Sequence, residues 1–243
     1  MATVDTPQKL PGALQSLIVT TQPIRRRGSF DIVVATFCAL LLISNIGATK
    51  LIGVGPLVFD GGAFLFPLTY VLGDVLAEVY GLRRARRAIV LGFALSVTAS
   101  LTFLAVLASP PAADWPNQEA WEAIFGFVPR IVAASLVAYL VGQLLNAWVL
   151  VKIKQRTGER GLWARLIGST LVGQAADTLL FCTIAWVGMV SGATLLNYIV
   201  VGYVYKVAVE LVVLPITYRV VRLVRAREPQ DVLTEAEVQR EPA

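Results

Sequence analysis

The chain is 243 residues long, 56% apolar and only 15% charged, with a formal net charge of +5 and no histidine. So little polar surface excludes a water-soluble globular protein of this size. The missing histidine removes the commonest general base and the commonest metal ligand together. Cys38 and Cys182 both sit inside apolar runs, which argues against a disulfide framework or a cysteine metal site.

In chain order, a polar tail over residues 1–29 precedes six long apolar runs, and a second polar tail covers 226–243. About 20 apolar residues rising about 1.5 Å each cross a hydrocarbon core of roughly 30 Å. The expected helices cover residues 31–52, 63–80, 88–108, 128–151, 162–190 and 195–221. Gly53, Gly55 and Pro56 mark the first outer turn, and Pro110, Pro111 and Pro116 the second. The second also carries Asp114, Glu119 and Glu122 with Trp115 and Trp121, a composition suited to an amphipathic stretch at the membrane surface. The run at 63–80 is the weakest span, since Gly61, Gly62, Pro67 and Gly73 loosen it; broken helices at membrane depth survive only against protein or a cavity. The fold class that follows is an all-α, polytopic bundle of six transmembrane helices over 30–225.

Orientation comes from the cations. All of the 21 Lys and Arg residues except Lys50, Arg130 and Lys206 fall in alternate gaps: Lys9 and Arg25–Arg27, then Arg83, Arg84, Arg86 and Arg87, then 152–165, then Arg219 onward. Lys and Arg stay on the cytoplasmic side during insertion, so both termini are expected there. These cations border the bilayer and are not interleaved with aromatics as a nucleic-acid surface would be, so no nucleic-acid partner is expected. Arg25-Arg26-Arg27 before the first run resembles a twin-arginine start, but that run is too long for a signal core and lacks a cleavage site.

Counting from the basic flanks gives depth. Asp74 lies nine residues from Arg83, Gln143 nine from Lys152, Gln174 nine from Arg165 and Glu210 nine from Arg219. Nine helical residues are about 14 Å, near the midplane. Asn146, Asp177 and Lys206 lie one turn from Gln143, Gln174 and Glu210. A charge at that depth costs on the order of 3 kcal/mol, so these groups must face one another or water. Together they would suit a small, planar, hydrogen-bond-rich solute. Plainer readings stand beside this one. Lys206 and Glu210, spaced i, i+4, can neutralise each other. Gln143 and Gln174, beside Gly142 and Gly173, can be interhelical glue. Glu78 suits an ion pair at the inner surface, and Lys50 snorkels. Arg130 does likewise or attracts a solute. Phe66, Tyr70, Phe181, Trp186 and Tyr205 are stacking surfaces or ordinary packing. The segments Leu140-Val141-Gly142-Gln143 and Leu171-Val172-Gly173-Gln174 repeat on neighbouring helices.

Several blocks carry a family resemblance. They are Ser44-Asn45; Phe66-Pro67 with Gly73-Asp74 and Tyr80-Gly81; Arg130, Ser135, Ala138-Tyr139 and Gly142-Gln143; Ser169-Thr170, Gly173-Gln174 and Asp177-Thr178; and Tyr205-Lys206 with Pro215 and Tyr218. In order and spacing they resemble the vitamin uptake transporter family, the bacterial queuosine precursor transporters, over about residues 30–222. The resemblance implies import of a 7-deazapurine such as 7-cyano- or 7-aminomethyl-7-deazaguanine, with Asn45, Asp74, Arg130, Gln143, Gln174, Asp177 and Lys206 at the family's intramembrane polar positions. Asn146 stands where an acidic residue is common in the family. A carboxylate accepts two parallel N–H bonds, so Asp74 or Asp177 is expected to grip the donor edge of such a base, with a glutamine or Lys206 on its carbonyl.

The expected mechanism is alternating access about a midplane site, with no cofactor and no resident metal. A substrate-capturing subunit docked on a separate ATPase is the alternative, since the chain has no phosphate-binding Gly-rich loop of its own. An intramembrane enzyme using Asp74 and Glu78 fits less well, without histidine or a Ser/Lys dyad at matched depth, and no enzymatic activity is expected. A homodimer is compatible with so small a bundle.

Overall fold

The computed structural model of the chain describes residues 29–157 and 162–229. The tail expected over 1–29 lies outside the described residues except at Ser29, as does the tail over 226–243 beyond Pro229; Arg160 lies outside them as well.

Helix α1 covers Phe30–Gly47 and ends five residues before the expected boundary. The apolar residues that follow do not continue it. They form a β-hairpin, with β1 over Leu51–Val54 paired antiparallel to β2 over Leu57–Asp60, Leu51 opposite Asp60 and Val54 opposite Leu57. The chain is mostly helical, as expected, and this hairpin is the departure from an all-α fold among the described residues. A two-residue loop, Gly55-Pro56, closes the hairpin, and Gly55 takes a φ of 57°, a conformation open to glycine at little cost. A 3-10 turn, Gly61–Phe64, leads into α2 at Phe66–Tyr80. Gly81, at φ 81°, separates α2 from α3, Leu82–Leu107. The four arginines expected in a turn are therefore helical, filling the first turns of α3, where arginine's good helix propensity is used.

The amphipathic stretch expected in the second outer gap is α4, Gln118–Phe125, whose Phe125 ring packs 4.6 Å from Phe103 of α3 and 4.2 Å from Trp121. Helix α5 covers Val128–Thr157, α6 Leu162–Trp186, and α7 Gly192–Arg225, with Ser191 capping α7 by accepting the Thr194 N–H. Among the described residues, five helical stretches are long and apolar enough to cross a membrane: Phe30–Gly47, Leu82–Leu107, Gln118–Ile153, Ile167–Trp186 and Gly192–Arg225. The chain is a multi-pass membrane protein. Helix α2 is not among the five, because its 15 residues reach only about 22 Å.

Two apolar cores hold the helices. One lies toward the basic ends and joins Val33 and Phe37 of α1, Val75, Leu76 and Val79 of α2, Ala85 and Ala88 of α3, and Val213, Val220 and Val221 of α7. The other lies at the hairpin end, where Ala48, Leu51 and Val58 meet Ile131 and Ala134 of α5, Cys182, Ala185 and Trp186 of α6, and Tyr198 of α7. Among the described residues, α5 and α6 contribute to the second core and not to the first. Beyond Gly142, α5 turns exposed apolar side chains outward, Leu144 at 70% and Trp148 at 61% exposure.

Helices α5 and α6 pack against each other backbone to backbone. A Cβ on Gly142 would lie 3.0 Å from the Asp177 Cβ and 3.1 Å from the Gly173 carbonyl oxygen; one on Gly173 would lie 2.8 Å from the Asn146 Cβ and 3.0 Å from the Gly142 carbonyl oxygen. The contact is reciprocal. Each glycine admits the polar residue one turn beyond the other, so the repeated Leu-Val-Gly-Gln segment becomes a local two-fold relation between antiparallel helices.

Candidate functional site

The glycine contact sets the position of Asp177 on α6, and α7 brings Lys206 to it. Lys206 Nζ donates to Asp177 Oδ2 at 2.6 Å, with the two side chains 18% and 26% exposed. The i, i+4 pairing of Lys206 with Glu210 is thus replaced by an interhelical ion pair. Glu210 instead faces α6, where Gln174 Nε2 approaches its Oε2 at 3.5 Å, the outer limit of a hydrogen bond.

Aromatic faces surround the ammonium. Lys206 Nζ lies 5.2 Å from the Phe66 ring centroid and 5.9 Å from that of Phe181, within cation–π range. Phe66 packs on Tyr70 at 4.4 Å, and the Tyr70 hydroxyl is within electrostatic range of Asp74, Asp177 and Glu210. Asp74 also senses Glu210 and Glu78. Side chains from α2, α6 and α7 therefore meet around Lys206, with Asp177, Phe66 and Phe181 against it and Tyr70 behind Phe66. The Gln174–Glu210 contact lies one turn along, and Asp74 is exposed.

The other expected residues are placed differently. Gln143, on the far side of the α5–α6 contact, is exposed. Asn146 is half-buried against Gly173, and among the described residues its Oδ1 is buried without a hydrogen-bond partner. Asn45 is 4% exposed and works as a three-helix joint: its Nδ2 donates to Ser96 Oγ of α3 at 3.3 Å, and its Oδ1 accepts from Ser135 Oγ of α5 at 3.1 Å. Arg130 closes the C-terminal end of α6, with Nε donating to the Ile184 carbonyl at 2.7 Å and Nη2 to the Val187 carbonyl at 2.6 Å. A guanidinium there satisfies orphan carbonyls and complements the helix dipole. Of the other aromatic candidates, Trp186 packs on Phe127 at 5.0 Å in the hairpin-end core, and Tyr205 donates to the Ala63 carbonyl at 2.9 Å.

The hairpin is fastened to α7 by a residue the sequence did not single out. Asn197 Oδ1 accepts the Val58 N–H at 3.0 Å, and its Nδ2 donates to the Pro56 carbonyl at 2.9 Å. Asp60, at the end of β2, accepts from Gly62 N–H at 2.7 Å and from the Tyr198 hydroxyl. Burial pushes the Asp60 carboxyl above its usual range, while the Tyr198 hydroxyl, Lys206 and the Gly62 N–H pull it back. The available signal was an acidic residue followed by two glycines in a gap almost free of cations.

The family model described as putative vitamin uptake transporter matches residues 60–220. The chain is 34% identical over 191 residues to the probable queuosine precursor transporter of Bacillus subtilis (strain 168), covering 78% of this chain and 81% of that one. It is 34% identical over 125 residues to the queuosine precursor transporter of Escherichia coli (strain K12), covering 51% and 54% of the two chains. It is 26% identical over 177 residues to the probable queuosine precursor transporter of Haemophilus influenzae (strain ATCC 51907 / DSM 11121 / KW20 / Rd), covering 72% and 73%. No solved structure matches the chain. A family match across the helices that build the polar cluster, together with a relative 34% identical over most of both chains, establishes that this chain belongs to the putative vitamin uptake transporter family.

Proposed function

We propose that this protein imports a queuosine precursor, a 7-deazapurine of the 7-cyano- or 7-aminomethyl-7-deazaguanine type, across the bacterial inner membrane, and that it is not an enzyme. The observation that carries the reading is the Lys206–Asp177 pair set among Phe66, Tyr70 and Phe181. A guanine-like ring presents adjacent N–H donors, a carbonyl and a π-face. Asp177 or Asp74 accepts the donors, Lys206 or Gln174 reaches the carbonyl, and an aromatic face stacks on the ring, an interaction typically worth about 1–3 kcal/mol. The names of the relatives in Bacillus subtilis and Escherichia coli support the same substrate class.

The topology in this reading is six crossings with both termini in the cytoplasm. Helix α2 completes the set when its 3-10 turn is added, since four residues at about 2 Å each bring it to roughly 30 Å. The arginines at the start of α3 and the end of α7 then face the cytoplasm. The hairpin-end core joins α5, α6 and α7 to the hairpin, and the glycine contact fastens α5 to α6. The carrier in this reading works by alternating access, with the α5–α6 pair rocking against the remaining helices around the polar cluster.

The test is uptake of labelled 7-cyano-7-deazaguanine by a host lacking its own uptake route. Cells carrying the protein should accumulate the base, and Asp177→Asn should abolish accumulation with membrane levels unchanged. Accumulation unaffected by the substitution would remove Asp177 from the site.

A further inference from the structure

Lys206 lies next to the turn that carries a second carboxylate, Asp60: its neighbour Tyr205 donates to the Ala63 carbonyl at 2.9 Å, and its Nζ lies 5.2 Å from the ring of Phe66 just beyond the turn. Asp60 lies within electrostatic reach of its ammonium, although the ion pair itself is made with Asp177. The two acids come from different parts of the fold: Asp177 from the middle of α6, Asp60 from the end of the hairpin. The Asp60 turn is held against α7 on both sides of this point. Tyr198 bonds Asp60 itself, and Tyr205, the neighbour of Lys206, bonds the carbonyl of Ala63. Gly62 is needed at that turn, because a Cβ there would lie 2.7 Å from Asp60 Oδ1 and 2.8 Å from Ser44 Oγ. The groups facing Asp60 are Tyr198, Tyr205 and Lys206 of α7 and Cys182 of α6, which Asp177 also acts upon.

A carboxylate has about four acceptor positions. Asp60 uses its oxygens on the Gly62 and Ala63 N–H groups and the Tyr198 hydroxyl, which leaves room for one further donor. Asp177 is in a different situation. To accept the N–H edge of a solute it must loosen its hold on Lys206, and an ammonium left without a partner at that depth is strongly disfavoured. A second acid within reach removes the obstacle.

We propose that Asp60 is the alternate partner of Lys206: when a solute bearing paired N–H donors takes Asp177, the ammonium passes to Asp60. Filling the site then strengthens the bond between hairpin and α7, which keeps the hairpin end shut while the solute is held. Asp60 is a positioning residue in this scheme, acting through Lys206. The assignment rests on the import reading above, but the exchange of partners can be tested without transport.

The experiment measures the melting temperature of the detergent-purified full chain carrying Asp60→Asn in three backgrounds: otherwise native, Asp177→Asn and Lys206→Met. Asparagine keeps a capping oxygen for Gly62, so the turn is preserved; Asp60→Ser keeps one too and gives the same comparison if Asp60→Asn does not fold. With Asp177 neutralised, Lys206 should already rest on Asp60. The Asp60→Asn shift should then be at least twice that in the native background, and it should shrink toward zero with Lys206→Met. The same shift in all three backgrounds would reduce Asp60 to a turn cap and overturn the proposal. In uptake assays Asp60→Asn should also raise KM about five- to tenfold in the native background and not at all beside Lys206→Met. A native protein that takes up no deazaguanine would count against the import reading, while the three-background melting comparison would still decide the exchange.

Discussion

Lys206 crosses from α7 to pair with Asp177 of α6 at 2.6 Å, leaving Glu210, one turn along its own helix, to Gln174. Both partners are mostly buried, so Lys206→Met strands the Asp177 carboxylate in a poorly solvated place, whereas Asp177→Asn leaves Lys206 the Asp60 turn to rest on. Lys206→Met should destabilise the protein by about 2–4 kcal/mol and Asp177→Asn by less, with the double variant below the sum by a coupling of about 1–3 kcal/mol. Chemical denaturation of the four proteins in one detergent checks this; additive losses would show that the pair contributes nothing jointly.

Gly173→Ala tests the α5–α6 contact. Its new Cβ would lie 2.8 Å from the Asn146 Cβ and 3.0 Å from a backbone oxygen, and neither can swing away as a flexible side-chain end can. The helices must separate, at about 1–3 kcal/mol. Because the same contact locates Asp177, uptake should weaken along with thermal stability. Gly53→Ala, where a Cβ meets nothing within 4 Å, should leave both unchanged.

Arg130→Lys separates a closure role from a substrate role. Lysine cannot reproduce two donors in a fixed fork, so the Ile184 and Val187 carbonyls lose part of their satisfaction. The expected result is a melting point lowered by the equivalent of about 1–2 kcal/mol, with KM for uptake unchanged. A raised KM with an unchanged melting point would place Arg130 on the solute path.

Glu228 gives a fourth prediction at the opposite end of the bundle. Its Oε1 accepts from the Ser29 N–H at 2.6 Å and from the Tyr80 hydroxyl at 2.8 Å, tying the end of α7 to the start of α1 and the end of α2, and it is only 8% exposed. Glu228→Ala should cost about 1–3 kcal/mol by leaving buried donors unpaired, and Tyr80→Phe somewhat less, since the Ser29 bond survives. Urea titration of both variants checks the order.

Much of this architecture was legible because bilayer physics is one-dimensional. Apolar length and cation placement located Gly192–Arg225 to within four residues at each end and the C-terminal end of Leu82–Leu107 to within one, but started the latter six residues late, past its helical arginines. They could not reveal the hairpin: Leu51, Ile52 and Val54 extend the apolar run of α1 with no change in composition, and only pairing with β2 makes them strands. The depth count put Gln174, Asp177, Lys206 and Glu210 at one level, which their hydrogen bonds support. Rotation about each helix was invisible to that count. Asn45 turned toward Ser96 and Ser135, and Lys206 chose a neighbouring helix over its own. Asp60 was missed because its burial comes from the hairpin folding back on α7.

Transport by the isolated protein tests the central claim most directly. Purified chain in sealed liposomes, with no other protein present, should accumulate labelled 7-cyano-7-deazaguanine, and Asp177→Asn liposomes should match empty ones. Liposomes that stay empty with the native chain, or fill equally well with the variant, would contradict the account.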